Sequence, residues 1–132
     1  MLVIRGKHNL KKQHRGCVAT IGNFDGVHLG HQSVLNALKI RAKELNLPSM
    51  LITFEPQPLE YFKLNEAPAR LTRVKEKLEL LRGFGLNRVL LLKFNKDLAF
   101  MEPENFIKEI LIAGLDIKHL YVGDDFHFGK NR

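Results

Sequence analysis

Cys17-Val18-Ala19-Thr20-Ile21-Gly22-Asn23-Phe24-Asp25-Gly26-Val27-His28-Leu29-Gly30-His31 is the stretch on which the fold turns. Its first five residues are apolar or β-branched and stop at a glycine, the pattern of a short strand covered on both faces, as in a parallel sheet. From about His28 to Asn46, the residues Val34, Leu35, Leu38, Ala42 and Leu45 fall at helical spacing, and Asn46 with Pro48 closes the run. The stretch therefore reads as strand, glycine-rich loop, helix.

Working outward, the same unit recurs in kind. Met50 to Thr53 is a strand, a proline-rich connection runs through Arg70, and a helix opens at Thr72 with Val74, Leu78, Leu81 and Phe84 on one side. Gly83 and Gly85 end that helix. Arg88 to Phe94 reads as a third strand. The next helix starts at Pro103, points Phe106, Ile107, Ile110 and Leu111 inward and ends at Gly114. His119 to Val122 is a fourth strand. Strands alternating with helices predict right-handed crossovers and a doubly wound parallel α/β sheet, whose ligands bind where the loops gather at the carboxyl ends of the strands. Those loops are Gly22–Gly26, Phe54–Arg70, Phe94–Met101 and 123–132.

Composition sets the outer limits. The 132 residues are 45% hydrophobic and 27% charged, enough for one ordinary core without metal or disulfide support. No strongly apolar run exceeds four residues, as in Val89 to Leu92, far below the roughly 18 residues that suggest a membrane span, and residues 1–16 hold no signal-peptide-like stretch. Membrane association is not expected. A lone cysteine, Cys17, makes no internal disulfide, which fits a reducing cytoplasm. Of the net charge of +7, five charges (Arg5, Lys7, Lys11, Lys12 and Arg15) precede Cys17 without an acid among them, leaving +2 for the remainder. Residues 1–16 thus read as a basic leader on a nearly balanced domain. The nine Phe and two Tyr sit mostly in apolar contexts rather than alternating with Lys and Arg, so no nucleic-acid partner is expected.

The loop after the first strand carries the chemistry. Gly22, Gly26 and Gly30 allow close backbone approach, and the loop feeds a helix N-terminus whose free N–H groups favour an anion. His28 and His31 are three apart, so in a helical first turn both imidazoles share one face and can donate to one phosphate chain. The plainer alternative is a turn ending at Gly26 with solvated histidines. A zinc pair lacks a third ligand nearby, and helical ligand pairs are more often four apart.

In Phe54–Thr72, a connection long for its class, an aromatic ring, prolines and Arg70 suit an apolar ring and a phosphate. Equally, Thr72 suits a helix N-cap, Pro56 and Pro58 could fix the chain path, and Leu59 with Phe62 could belong to the core. In the last loop, Asp124 and Asp125 beside Phe126 and Phe128 suit ribose hydroxyls or a water on Mg2+, or else a capped turn.

Four segments in order carry a resemblance: Gly22 to His31 with its His28-Leu29-Gly30-His31, Thr53-Phe54-Glu55-Pro56-Gln57-Pro58, Pro68-Ala69-Arg70-Leu71-Thr72, and Val122 to Lys130. Together they resemble the nucleotidylyltransferase superfamily in the form found in bacterial bifunctional riboflavin kinase/FMN adenylyltransferases, the FAD synthetases, and Ile4-Arg5-Gly6 is similar to that family's opening. The resemblance implies a Rossmann-like fold and transfer of AMP from ATP to FMN, giving FAD and pyrophosphate, with Mg2+ on the phosphates. It implies that His28 and His31 act in catalysis and that Gly22, Asn23, Phe24, Asp25, Gly30, Asp125 and Phe126 bind ATP. Phe54, Glu55, Pro56, Pro58, Arg70, Leu71 and Thr72 would bind the flavin, and the metal ligands stay unassigned. Gln57 and His127 stand where many relatives carry His and Arg, so neither is given a role.

By the same resemblance, residues 1–132 are expected to be the N-terminal part of the adenylyltransferase domain. A downstream Ser-Ser-Thr motif and the kinase barrel would follow it, so the chain alone is expected to adenylate FMN weakly or not at all and to self-associate through an incomplete sheet edge. The alternatives are a nucleotidylyltransferase with another acceptor (pantetheine phosphate, nicotinamide mononucleotide, or a sugar or glycerol phosphate) and a non-catalytic nucleotide-binding or oligomerisation module. A class I aminoacyl-tRNA synthetase shares the histidine signature, but the chain is too short for its tRNA-binding parts.

Overall fold

The computed structural model describes residues 1–24, 29–55 and 74–122. Five strands form one parallel sheet: β1 (Leu2–Arg5), β2 (Cys17–Ile21), β3 (Ser49–Phe54), β4 (Arg88–Leu92) and β5 (Ile117–Val122), in the spatial order β1-β4-β3-β2-β5. Registers run Val18 to Ser49, Met50 to Arg88 and Ile21 to Val122, with a bulge between Cys17 and Val18. Helix α1 spans Leu29–Leu45, α2 spans Val74–Gly83, and the single turn α3 spans Lys96–Ala99. α4 (Pro103–Phe106) runs into a π-helical stretch, Ile107–Gly114.

The pleat divides the core in two. On one face, Val18, Leu51, Val89 and Leu91 pack against Leu35, Leu38 and Ala42 of α1 and Leu81 of α2. On the other, Ala19, Ile52, Phe54 and Leu90 pack against Phe94, Leu98 of α3, Phe106, Ile110 and Leu115. The connections β2–α1–β3 and β3–α2–β4 step one way across the sheet, while the chain returns from β4 to β5 over the opposite face. β2 and β5 are therefore neighbours at the point where the strand order reverses, the place where open α/β sheets form their ligand crevice, at the carboxyl ends of the strands.

Four expectations need correction. Residues 1–16 are no mere leader: Leu2 to Arg5 form the edge strand, paired with Arg88 to Leu91 of β4. After Gly6, at φ +83°, two 3-10 turns (Lys7–Asn9 and Lys12–His14) carry the chain across the sheet to β2, with Leu10 packed on the core. The loop expected over Phe94–Met101 contains α3, whose Asn95 caps it by accepting from the Leu98 N–H at 3.1 Å. Ile107, expected inward, is 45% exposed. The Leu115 N–H reaches back five residues to the Ile110 carbonyl, and this wider bonding turns Phe106, Ile110 and Leu111 to the core and Ile107 outward. Leu45, expected on the inner stripe of α1, is half-exposed at that helix's end.

Asn46 ends α1 as its type permits, at φ +54°, with the Leu47 N–H returning to the Ala42 carbonyl. No helix among the described residues is long and apolar enough to cross a membrane.

Candidate active site

The site begins where β2 stops. The Gly22 N–H continues the ladder by donating to the Ile52 carbonyl at 3.0 Å. The Asn23 carbonyl is then held twice, by Lys77 Nζ at 2.8 Å and by the Thr53 hydroxyl at 3.2 Å, while Lys77 also donates to Thr53 Oγ1 at 3.1 Å. Lys77 lies on α2 and is fully buried. The triangle joins the loop after β2 to the end of β3 and to the helix after it.

Phe24 follows at φ +52°, a left-handed conformation that costs a residue with a Cβ roughly 1–2 kcal/mol. Its ring is 5% exposed and stacks on the His31 imidazole, with centroids 4.3 Å apart and planes at 23°. A Cβ on Gly22 would lie 3.0 Å from Phe24 Cε2, so the ring sits where only glycine leaves room. His31 is in the first turn of α1, at the helix end that carries free N–H groups and partial positive charge. Beside it, the Thr20 hydroxyl donates to the Tyr121 carbonyl at 2.9 Å and ties β2 to β5 below the crevice. Asn23 Oδ1 is buried without a hydrogen-bond partner among the described residues, an acceptor suited to a ligand's amine or hydroxyl.

Gly22, Asn23, Phe24 and His31 are thus brought together, with Gly30 beside them in the first turn of α1. His28, Asp25, Asp125 and Phe126 lie outside the described residues, as do Pro56, Pro58, Arg70, Leu71 and Thr72. Glu55 follows β3, its N–H on the Leu92 carbonyl at 2.9 Å. Phe54 is fully buried and edge-on to Phe94, with centroids 5.7 Å apart. It thus stands in the core at the carboxyl end of β3.

Lys77 was missed by the sequence reading. Its signal was a lysine between Val74 and Leu81 at i+3 and i−4, on the apolar stripe of its helix. A groove of about 600 Å³ lies elsewhere, between Lys7, Lys11, Lys12 and Arg15 on one side and Glu109, Ile110, Ala113 and Gly114 on the other. The crevice is the better candidate, because it is there that the helix terminus, the histidine and the open acceptor converge.

Fold and loop together define a Rossmann-like α/β protein with the N-terminus of α1 following the carboxyl end of β2. Comparison with known proteins narrows the class. The chain belongs to the FAD synthetase family, whose model matches residues 10–132. It is 52% identical over 132 residues to the bifunctional riboflavin kinase/FMN adenylyltransferase of Pseudomonas fluorescens and 50% identical over 133 residues to that of Escherichia coli K12. In both comparisons all of this chain is covered, and it spans 42% of the relative's length. A crystal structure of a macrolide-efflux protein from Streptococcus pneumoniae superposes with a TM-score of 0.80 at 23% identity, covering 97% of this chain and 43% of that one, and shows the same fold.

Proposed function

We propose that this chain carries the nucleotide-binding part of an FMN adenylyltransferase, residues 1–132 being the N-terminal part of that domain. In the reaction an FMN phosphate oxygen attacks the α-phosphorus of ATP in line, the bond to the bridging oxygen breaks, and FAD and pyrophosphate form. No side chain is acylated or phosphorylated, so the protein's work is to place two anions and stabilise the charge on them. His31 donates from its imidazole to an ATP phosphate oxygen at the N-terminus of α1, and His28 is a second such donor. Gly22, Asn23, Phe24, Asp25 and Gly30 enclose the nucleotide with Asp125 and Phe126. Phe54, Glu55, Pro56, Pro58, Arg70, Leu71 and Thr72 form the flavin side of the site. Mg2+ on the ATP phosphates supplies charge neutralisation when bound, and the open Asn23 Oδ1 fits a water or hydroxyl of that assembly. The cytoplasm is the proposed compartment.

The observation that carries this reading is the His31 imidazole, set in the first turn of α1 at the switch point of a FAD synthetase family member. FAD formation from ATP and FMN with Mg2+ tests it, in this chain, in its His31→Ala variant, and in the chain extended through the downstream Ser-Ser-Thr motif. The extended protein is expected to turn over and to lose about 10²–10³-fold in rate with His31→Ala, as when one donor to a developing anion is removed. A folded extended protein that makes no FAD refutes the flavin assignment.

A further inference from the structure

An imidazole helps a phosphate only when an N–H is aimed at it, and a side chain on a helix's first turn has free torsions to lose. In this structure the plane of the His31 ring is prescribed by a neighbour: Phe24 lies 4.3 Å away and within 23° of parallel, so both imidazole nitrogens point out of the stack, edgewise. Phe24 is itself over-determined. The carbonyl before it is held by Lys77 and Thr53, its φ is +52°, and its ring fills the space left open at Gly22. Strained backbone of this kind persists where its surroundings enforce it, and it concentrates at functional sites.

We propose that Phe24 is the positioning residue for the His31 imidazole, and that the Lys77–Thr53 clamp on the Asn23 carbonyl is what fixes Phe24. The proposal rests on the nucleotide reading above and names the residue that aims its donor. Beside its place in the nucleotide pocket, Phe24 acts on the phosphates through His31.

The test reads the imidazole directly. In this chain, the His31 ring protons are recorded by two-dimensional NMR with and without ATP and Mg2+, and ATP affinity is measured by calorimetry. Stacking under Phe24 places the His31 signal upfield of the exposed His8. Phe24→Leu keeps an apolar side chain but removes the ring. The expected results are a downfield move of the His31 signal and an approximately tenfold loss of ATP affinity, the upper range for one aromatic pair.

Should Phe24→Leu fail to fold, Gly22→Ala serves instead. Its Cβ meets the Phe24 ring at 3.0 Å and is expected to displace the His31 signal. Lys77→Met is expected to move that signal as well, without touching His31. An unchanged His31 signal in the folded Phe24 or Gly22 variant overturns the proposal whether or not ATP binds. So does a moved signal with ATP affinity unaltered. ATP with Mg2+ leaving the wild-type signal in place refutes the nucleotide reading separately.

Discussion

Replacing Thr53 with valine removes one hydroxyl and almost no volume, and the structure says what that hydroxyl does. It donates to the Asn23 carbonyl at 3.2 Å and accepts from the buried Lys77 ammonium at 3.1 Å. Valine leaves the carbonyl its bond from Lys77 but takes one acceptor away from the buried ammonium. A lost buried partner costs about 1–3 kcal/mol, more when the group left behind is charged, so Thr53→Val is expected to destabilise the chain by about 2–3 kcal/mol. With Lys77→Met in place there is no ammonium to strand, and the same substitution should then cost about 1 kcal/mol, the net worth of one ordinary hydrogen bond. Urea unfolding of the wild type, both single variants and the double variant closes the cycle, with an expected coupling of about 1–2 kcal/mol. Additive effects within about 0.5 kcal/mol would show that the triangle does not act as a unit, and the clamp argument would fall.

Other consequences are simpler to check. His14 is buried, its Nδ1 accepts from the Lys11 N–H at 3.0 Å, and burial, then Arg88, then Lys11 hold its pKa below the usual 6.5. The unfolded chain therefore takes up this proton first as pH falls through 6.5, so stability is unaffected above that value and declines below it. Urea midpoints at pH 7.5 and 5.5 should differ more for the wild type than for His14→Gln, and equal differences would refute the assignment. Burial pushes the Cys17 thiol up to about 11 against the pull of Arg88, with Asp116 adding to the rise, so a disulfide reagent should label it only on unfolding. Fast labelling of the native chain would contradict that burial. Asn95→Ala removes the cap of α3 and should cost about 1 kcal/mol in the same urea assay; no loss would mean the cap is idle. β5 has no strand partner on its outer edge among the described residues, and Val122 there is 53% exposed, so we expect concentration-dependent self-association in sedimentation. A monomer at every concentration would count against it.

Much of the fold was legible because it is locally written. The buried runs at β2, β3 and β4 announce themselves by composition, and α1 and α2 by period. β1 was not legible: Leu2 to Arg5 is too short to show a pattern, and only its pairing with β4 makes it a strand. α3 is one turn, which no periodicity can reveal, and the π bonding after Phe106 shifts the inner face by less than a residue type can signal. At the site, the order of strand, loop and helix across Cys17 to His31 could be read from composition and spacing. The clamp could not, since it joins residues 30 and 54 positions apart, and neither could the stack, which depends on a backbone angle at Phe24.

The placement of β1 also dictates an order of events during synthesis. Leu2 leaves the ribosome well before Arg88, with which it pairs, so β1 cannot be docked until β4 has emerged. At about 5–20 residues per second, that is a wait on the order of ten seconds. For that interval Val3 and Ile4 have no sheet to join, and the cationic stretch just behind them, Lys7 to Arg15, adds charge that favours hydration and repels like copies. The charges that line a surface groove in the finished protein thus have an earlier duty, as a guard on an edge still waiting for its partner.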